Sequence, residues 1–545
     1  MRVSLKVRAV ILAVVFSLGL LVTATAPVYA ATLKYNLTDV LTSATSVTVR
    51  DITVDSSGNM YVVGWFNGTT DFDPSAGVHN ITPSGGAGAY LAKYSSAGAL
   101  IWVRTLSGSA SVTFNSVSLD ASGNPYVVGN FLGTINFDGT GGTTDNKTAS
   151  AGGGNGFVSR YNSDGSYGWT RAFLDAVADS TSTVIVDTTN NYVYVAGEYA
   201  SSMNFDGTGG TDNHTAVGST DFFITKYSTA GAYVSTLTTG SANSEHVSNH
   251  ALALDSSNNI YLVGTFAGNM DFDATAGTDS KILVGSTDSY LTSYTSGGAY
   301  RWTRTFGGTS ASTNVNNLAI SGTTIALVGL FNGNVNFNGA GGTDNHAAVG
   351  SNDAFLSSYT TVGAYNYAKT WDTPSTTISA DVVGFAADGM IHVGGTFFGT
   401  TDFDPSAGVA SITPNGGANS YALYVSSFNP DGSYVNTYTS QAITTGQLGF
   451  NVLTTDAAGN LYYGGYFLGT NFDFDPTVTN DFQSSQGTDY NGFFSKWSVL
   501  AATTTGAPNT GYAKPAQTPW VTYASITSAL LLAGAFLLRK HKTHF

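Results

Sequence analysis

DITVDSSGNMYVVGWFNGTTDFDPSAG, residues 51–77, and AYLAKYSSAGALIWVRTLSG, residues 89–108, form one unit that the chain repeats seven times. Each unit contains four strand-like runs. SVTVRDITVD ends in the turn Asp55-Ser56-Ser57-Gly58-Asn59, where glycine and asparagine tolerate positive φ, so the first two runs form a hairpin. MYVVGWF follows, then a long aspartate-rich loop, then AYLAKY, a glycine turn at Gly98, and LIWVRTL. The glycine after the second run marks the copies at Gly64, Gly129, Gly197, Gly264, Gly329, Gly395 and Gly465, with spacings of 65, 68, 67, 65, 66 and 70 residues. A phenylalanine follows eight residues later in six copies (Phe72, Phe137, Phe205, Phe272, Phe337, Phe403) and nine later in the seventh, Phe474. A period this regular identifies a repeat architecture, and four short strands per copy predict one propeller blade each.

The expected fold is therefore all-β: a seven-bladed β-propeller of four-stranded antiparallel blades spanning residues 31–497. The third strand of each copy ends on an aromatic, at Tyr94, Tyr161, Tyr227, Tyr294, Tyr359, Phe428 and Trp497. Trp102, Trp169 and Trp302 stand in fourth strands. Aromatics recurring at sheet positions predict packing between neighbouring blades rather than a stack of ligand contacts. The seventh copy stops after its third strand, and Leu33-Lys34-Tyr35-Asn36-Leu37 precedes the first copy as LIWVRTL precedes the second. Pairing that N-terminal strand into the last blade closes the ring and covers two strand edges.

The pattern D-x-S-G-N-x-Y-V-x-G, then G-x-x-D-F-D, then K-Y-x-x-x-G-x-x-x-W resembles the bacterial seven-bladed β-propeller repeat family, over Leu33 to Trp497. Copies three and five depart most, with Thr188-Thr189-Asn190-Asn191 and Ser321-Gly322 at the first turn. The resemblance implies architecture and no shared active site.

The two ends carry targeting signals. Residues 1–30 have Arg2, Lys6 and Arg8, an apolar stretch, and small residues at Val28 and Ala30, the pattern of a secretory signal peptide cleaved after Ala30. Residues 521–538 are apolar and long enough to span a bilayer as a helix, followed by the basic tail 539–545. In the spacer 498–520, Ala507-Pro508-Asn509-Thr510-Gly511 resembles the sorting signal that sortases cleave between threonine and glycine. Pro508, Asn509, Thr510 and Gly511 fit that signal; Ala507 replaces its usual leucine. The resemblance implies a sortase-like transpeptidase as partner. The expected location is the cell surface, anchored to wall or membrane by the C-terminus.

Without residues 1–30 and those after Thr510, 13 basic side chains remain against 35 acidic ones, a net charge of −22. Nucleic acid is excluded as the main partner. All but two of the acids, Glu198 and Glu245, are aspartate, the acid that turns favour. With no cysteine, stability must come from sheet pairing and core.

Chemistry is sparse. The triplets after the second strand read Asp71-Phe-Asp73, Asn136-Phe-Asp138, Asn204-Phe-Asp206, Asp271-Phe-Asp273, Asn336-Phe-Asn338, Asp402-Phe-Asp404 and Asp473-Phe-Asp475. In extended chain both acids share one face, so Asp71, Asp73, Asp271, Asp273, Asp402, Asp404, Asp473 and Asp475 are calcium candidates, the one cofactor in view. Against that, Asn336 and Asn338 accept backbone hydrogen bonds as aspartate does but ligate calcium poorly, which favours a loop-clamping role. Ser163-Asp164-Gly165-Ser166 loosely resembles the aspartate box of sialidase propellers, with the wrong spacing. His214, His346 and His392 are expected at non-equivalent or loop positions on the surface. No phosphate loop, dinucleotide fingerprint or serine elbow occurs.

The expectation is a non-catalytic surface scaffold for binding or adhesion to an extracellular protein or glycan. The alternatives are an envelope carbohydrate-active enzyme, hydrolase or lyase, which needs acids at non-repeated positions in the channel mouth, and a structural surface-coat protein.

Overall fold

The computed structural model describes residues 32–500 apart from 140–143, 151–152, 175–179, 276, 372–376, 416, 418–419, 441–446, 476–480 and 487–488. Among the described residues there is no helix, and hence none long and apolar enough to cross a membrane. The segment 1–30, the sorting motif Pro508 to Gly511, the apolar run 521–538 and the tail all lie outside the described residues.

Each copy of the repeat is one antiparallel blade. The first blade orders Ser46–Val54, Met60–Asn67, Gly88–Tyr94 and Leu100–Leu106 from the centre outward, and the other copies follow the same order. The hairpins expected from the Asp-x-x-Gly-Asn turns form. Asp55 Oδ1 accepts the N–H groups of Ser57 and Asn59, both at 2.9 Å, with Gly58 at φ 77°. The divergent turns keep the positive-φ residue, Asn191 at φ 59° in the third blade and Gly322 at φ 57° in the fifth, and the third keeps the aspartate clamp through Asp187.

The seventh blade is completed by the N-terminal strand. Thr32–Ser43 pairs antiparallel with Asn491–Leu500, from Thr32 opposite Leu500 to Leu41 opposite Gly492. The latch is therefore longer than the five residues expected, and the third strand runs past Trp497 to Leu500. The register is right for a fourth strand. Tyr35 lies opposite Trp497 as Tyr300 lies opposite Tyr294, and the Tyr35 hydroxyl donates to Asp481 as the Tyr300 hydroxyl donates to Asp279.

The core lies between blades. One buried cluster joins Val47 and Val49 of the first blade to Val452 and Phe494 of the last; another joins Tyr61 and Leu91 of the first to Phe114 and Val127 of the second. As the recurring aromatics predicted, Trp102 lies against Gly165 in the next blade's turn, whose carbonyl Arg104 Nε grips at 2.7 Å. Trp169 with Arg171, and Trp302 with Arg304, repeat the grip on Gly231 and Gly363. Third-strand tyrosines hold the long loops: Tyr94 donates to the Phe72 carbonyl at 2.9 Å and Tyr294 to that of Phe272 at 2.8 Å. In the sixth blade, where Phe428 has no hydroxyl, Trp371 Nε1 donates to the Phe403 carbonyl instead, at 3.2 Å.

Candidate functional site in the central channel

The innermost strands line one channel, to which all seven blades contribute: Ile52, Val117, Val184, Leu252, Leu318, Val383 and Leu453 come one from each. Above this aliphatic ring the strands are bulged. Register shifts fall between Val49 and Asp51, Phe114 and Ser116, Thr181 and Thr183, Val315 and Asn317, and Phe450 and Val452, leaving Arg50, Asn115, Ser182, Asn316 and Asn451 as the extra residues. In the sixth blade the inner strand is broken around Asp381.

The marker glycine is the reason the bulge fits. A Cβ on Gly64 would lie 2.0 Å from the Thr48 carbonyl oxygen, and on Gly129 1.8 Å from that of Thr113; the other five meet the same obstacle at 1.9–2.0 Å. The bulge turns a carbonyl into the space that any side chain on the second strand would occupy.

Bulge residues mostly staple blades together. Asn115 Nδ2 donates to the Thr181 carbonyl (2.9 Å), Asn316 Nδ2 to that of Ala380 (3.0 Å) and Asn451 Nδ2 to that of Val49 (2.7 Å). Asp51, next to the first bulge, accepts the N–H of Ile52 at one oxygen and that of Val117 in the neighbouring blade at the other.

The fourth blade breaks the pattern. Between Val247, opposite Gly264, and Leu252, opposite Leu262, stand Ser248, Asn249, His250 and Ala251, two residues more than the other bulges allow. The excess loop places His250 at φ 53° and carries its ring to Asp51 in the first blade, with Nε2 3.1 Å from Oδ1. This is an ion-pair contact rather than an aligned hydrogen bond. Burial draws the imidazole pKa down, but the attraction of Asp51 outweighs it and the net shift is upward.

His250 borders two spaces. On the bulge side is a cavity of about 350 Å³ lined by Asn249, Asn314, Asn316, Asp381, Phe450 and Asn451 as well as His250; on the other is the bore with the aliphatic ring. Burial raises the Asp381 pKa to about 6, although the Ser379 hydroxyl donates to one of its oxygens at 2.7 Å. At the seam of the first and last blades lie Arg50 and three partly exposed aromatics. Tyr490 lies 4.8 Å from Tyr466 with the rings tilted by 44° and meets Trp65 edge-on at 6.1 Å.

The glutamates, which the repeat left without context, both flank the start of the fourth blade. Glu198 accepts the N–H of Val247 (2.8 Å) and contacts His246 (3.2 Å), raising the His246 pKa. Glu245 is fully buried and bonded to Ser241. Sequence reasoning passed over His246 and His250; the two-residue excess between Val247 and Leu252 was the available signal.

The acidic triplets are remote from the channel lining and act within their loops. Asp71 Oδ1 accepts the N–H groups of Asp73 (3.0 Å) and His79 (2.7 Å). Asp271 holds Asp273 and Asp279, Asp402 holds Asp404 and Ala410, and Asp473 holds Asp475 and Asp481. Asn336 holds Asn338 and Asp344 in the same way. Among the described residues no three His, Asp or Glu side chains converge as metal ligands.

His214 and His346 lie in loops as expected, and one expectation, for His392, is corrected. His214 and His346 are equivalent, each in the loop hairpin of its blade opposite Met203 and Val335, because the loop repeats as faithfully as the strands. His392 is fully buried, not on the surface. It occupies the position of Tyr61 and Tyr261, and burial pulls its pKa down to about 4.

Fold and channel together define the class: a seven-bladed β-propeller with a central channel to which all seven blades contribute. No protein-family model matches the chain. Among curated proteins, an uncharacterized WD repeat-containing protein L264 of Acanthamoeba polyphaga mimivirus is 26% identical over 204 residues, covering 33% of this chain and 15% of that protein. Among solved structures, the parainfluenza virus 5 hemagglutinin-neuraminidase ectodomain aligns over 91% of this chain and 95% of its own, at 7% identity and a TM-score of 0.29. The extracellular domain of the putative hybrid two component system BT3049 from B. thetaiotaomicron aligns over 81% and 70%, at 11% identity and a TM-score of 0.20.

Proposed function

We propose that the chain is an exported, C-terminally anchored, non-catalytic propeller that binds an extracellular ligand, protein or glycan, at the bulge-side mouth of its channel. The observation that carries this reading is where the repeat fails. Scaffold positions recur from blade to blade, whereas Asp51, the Ser248–His250 excess and Asp381 differ in chemistry from their counterparts and gather around His250. Rigid scaffolds of this kind bind through such non-repeated positions. The signal-like residues 1–30, the sorting-like motif at 507–511 and the apolar run 521–538 support export and anchoring, and the repeat consensus supports kinship with the bacterial seven-bladed family.

The non-catalytic reading is supported by Asp51, whose two oxygens are engaged in holding Ile52, Val117 and His250 across three blades. Purified protein screened against glycan and protein arrays tests the proposal. Saturable binding is expected; turnover of any glycan would overthrow it in favour of an envelope enzyme, and no binding to anything would favour a surface coat.

A further inference from the structure

The seam of the first and last blades contains a cation, Arg50, that no hydrogen bond or ion pair among the described residues employs. Arg50 occupies the bulge position at which Asn115, Asn316 and Asn451 each donate to the next blade's carbonyl. It makes no such bond. Its Nε is buried without a hydrogen-bond partner, and among the described residues no carboxylate lies within ion-pair distance of it. A buried Nε left without a partner costs stability, and in a chain of net charge −15 carboxylates are the commonest side chains to pair it with. It pairs with none of them.

Beside it stands an aromatic group that the blade core does not need. The residue after the marker glycine is Trp65 in the first blade and Tyr466 in the last, but Asn130, Glu198, Thr265, Leu330 and Thr396 elsewhere. Only the two blades that meet at this seam have rings there. Tyr490 joins them, its carbonyl held by the Val47 N–H at 3.1 Å, and the rings stay partly exposed where the recurring tyrosines and phenylalanines are buried. Through the Asn451 bond to the Val49 carbonyl, this seam adjoins the cavity of about 350 Å³, with its amides and Asp381.

We propose that this seam is a subsite for a carboxylate-bearing sugar, with Arg50 receiving the carboxylate and the Trp65, Tyr466 and Tyr490 rings receiving the sugar face. A guanidinium matches a carboxylate in a planar, two-point geometry, and aromatic rings with exposed faces accept the apolar side of a pyranose. The amides of Asn249 and Asn314 then lie on the cavity side for hydroxyl groups. The subsite rests on the proposed binding role and names its ligand class.

The test uses the full chain in detergent micelles and calorimetric titration with trigalacturonic acid, 3′-sialyllactose and a hyaluronan tetrasaccharide, against lactose and maltotriose. At least one acidic probe is expected to bind saturably, and the neutral sugars about tenfold more weakly or less. Arg50→Gln and Tyr490→Ala are each expected to weaken that binding about tenfold. Should Arg50→Gln fail to fold, Tyr490→Ala, at a partly exposed ring, carries the test. Absence of binding by all three acidic probes overturns the subsite, as does binding that both folded variants leave unchanged. A neutral glycan or protein ligand unaffected by either substitution sinks the subsite while leaving the binding scaffold standing.

Discussion

At the residue scale, the most constrained positions in this protein are ones where a side chain is missing. Gly129 faces the Thr113 carbonyl at a distance no Cβ tolerates, and the obstacle is backbone, which cannot step aside as a flexible side chain does. Gly129→Ala is expected to destabilise the fold by about 3 kcal/mol or more in urea unfolding. Gly154→Ala, whose Cβ would meet nothing closer than 3.7 Å, is the control and should be near neutral. Histidines supply a pH signature. The depressed pKa of buried His392 means that the unfolded chain takes up the proton first, so stability present above pH 6.5 is lost as pH falls, levelling off near pH 4. That one site should cost about 3 kcal/mol over the interval, and His392→Gln should remove this part of the acid sensitivity in unfolding titrations at pH 7, 5 and 4. The raised His250 works in the opposite sense: its contribution is full below pH 6.5 and is lost as pH rises through its folded value.

At the scale of the element, the latch and the loop clamps were both legible in the sequence, for different reasons. The latch was legible because a missing fourth strand at one end and a spare strand at the other are a matter of counting; its length was not, because Thr32 and Thr38–Ser43 carry no repeat pattern and are recruited by pairing with Asn491–Leu500. Removing residues 31–43 is expected to lower the melting temperature by about 10 °C and to promote aggregation through the bared edge, with a synthetic 31–43 peptide restoring both. The clamps were legible because asparagine replaces aspartate in the fifth copy. Asp71→Asn should therefore change stability by less than about 0.5 kcal/mol, and Asp71→Ala should cost about 1–2 kcal/mol by orphaning the N–H groups of Asp73 and His79, read from the same unfolding curves. The channel was illegible for the opposite reason. Arg50, Asn115 and Asp381 stand at one structural position, but the bulge that makes them equivalent leaves no mark in a search for similarity, and the two extra residues before Leu252 look like ordinary drift in spacing.

At the scale of the whole molecule, stability is shared among seams between like blades, without disulfides. Because the leading triplet carboxylates clamp loop N–H groups through Oδ1, a chelator such as EDTA is expected to leave the melting temperature unchanged; a fall of several degrees would restore calcium to the account. Ala44 and Thr45 cross the seam between last and first blades, joining the latch to the first blade's inner strand, and it is at this seam that the aromatic group and Arg50 stand beside the Asn451 staple.

The latch also decides how the protein bears a load. Were the chain held by its C-terminus, as proposed, a pull would enter the propeller at Leu500 and run along Asn491–Leu500, a strand hydrogen-bonded on one side to Leu461–Phe467 and on the other to Thr32–Ser43. Drag on the disc would thus be met by two ladders loaded lengthwise, so that many bonds must give way together, whereas an edge strand in the same place would peel from the sheet one bond at a time.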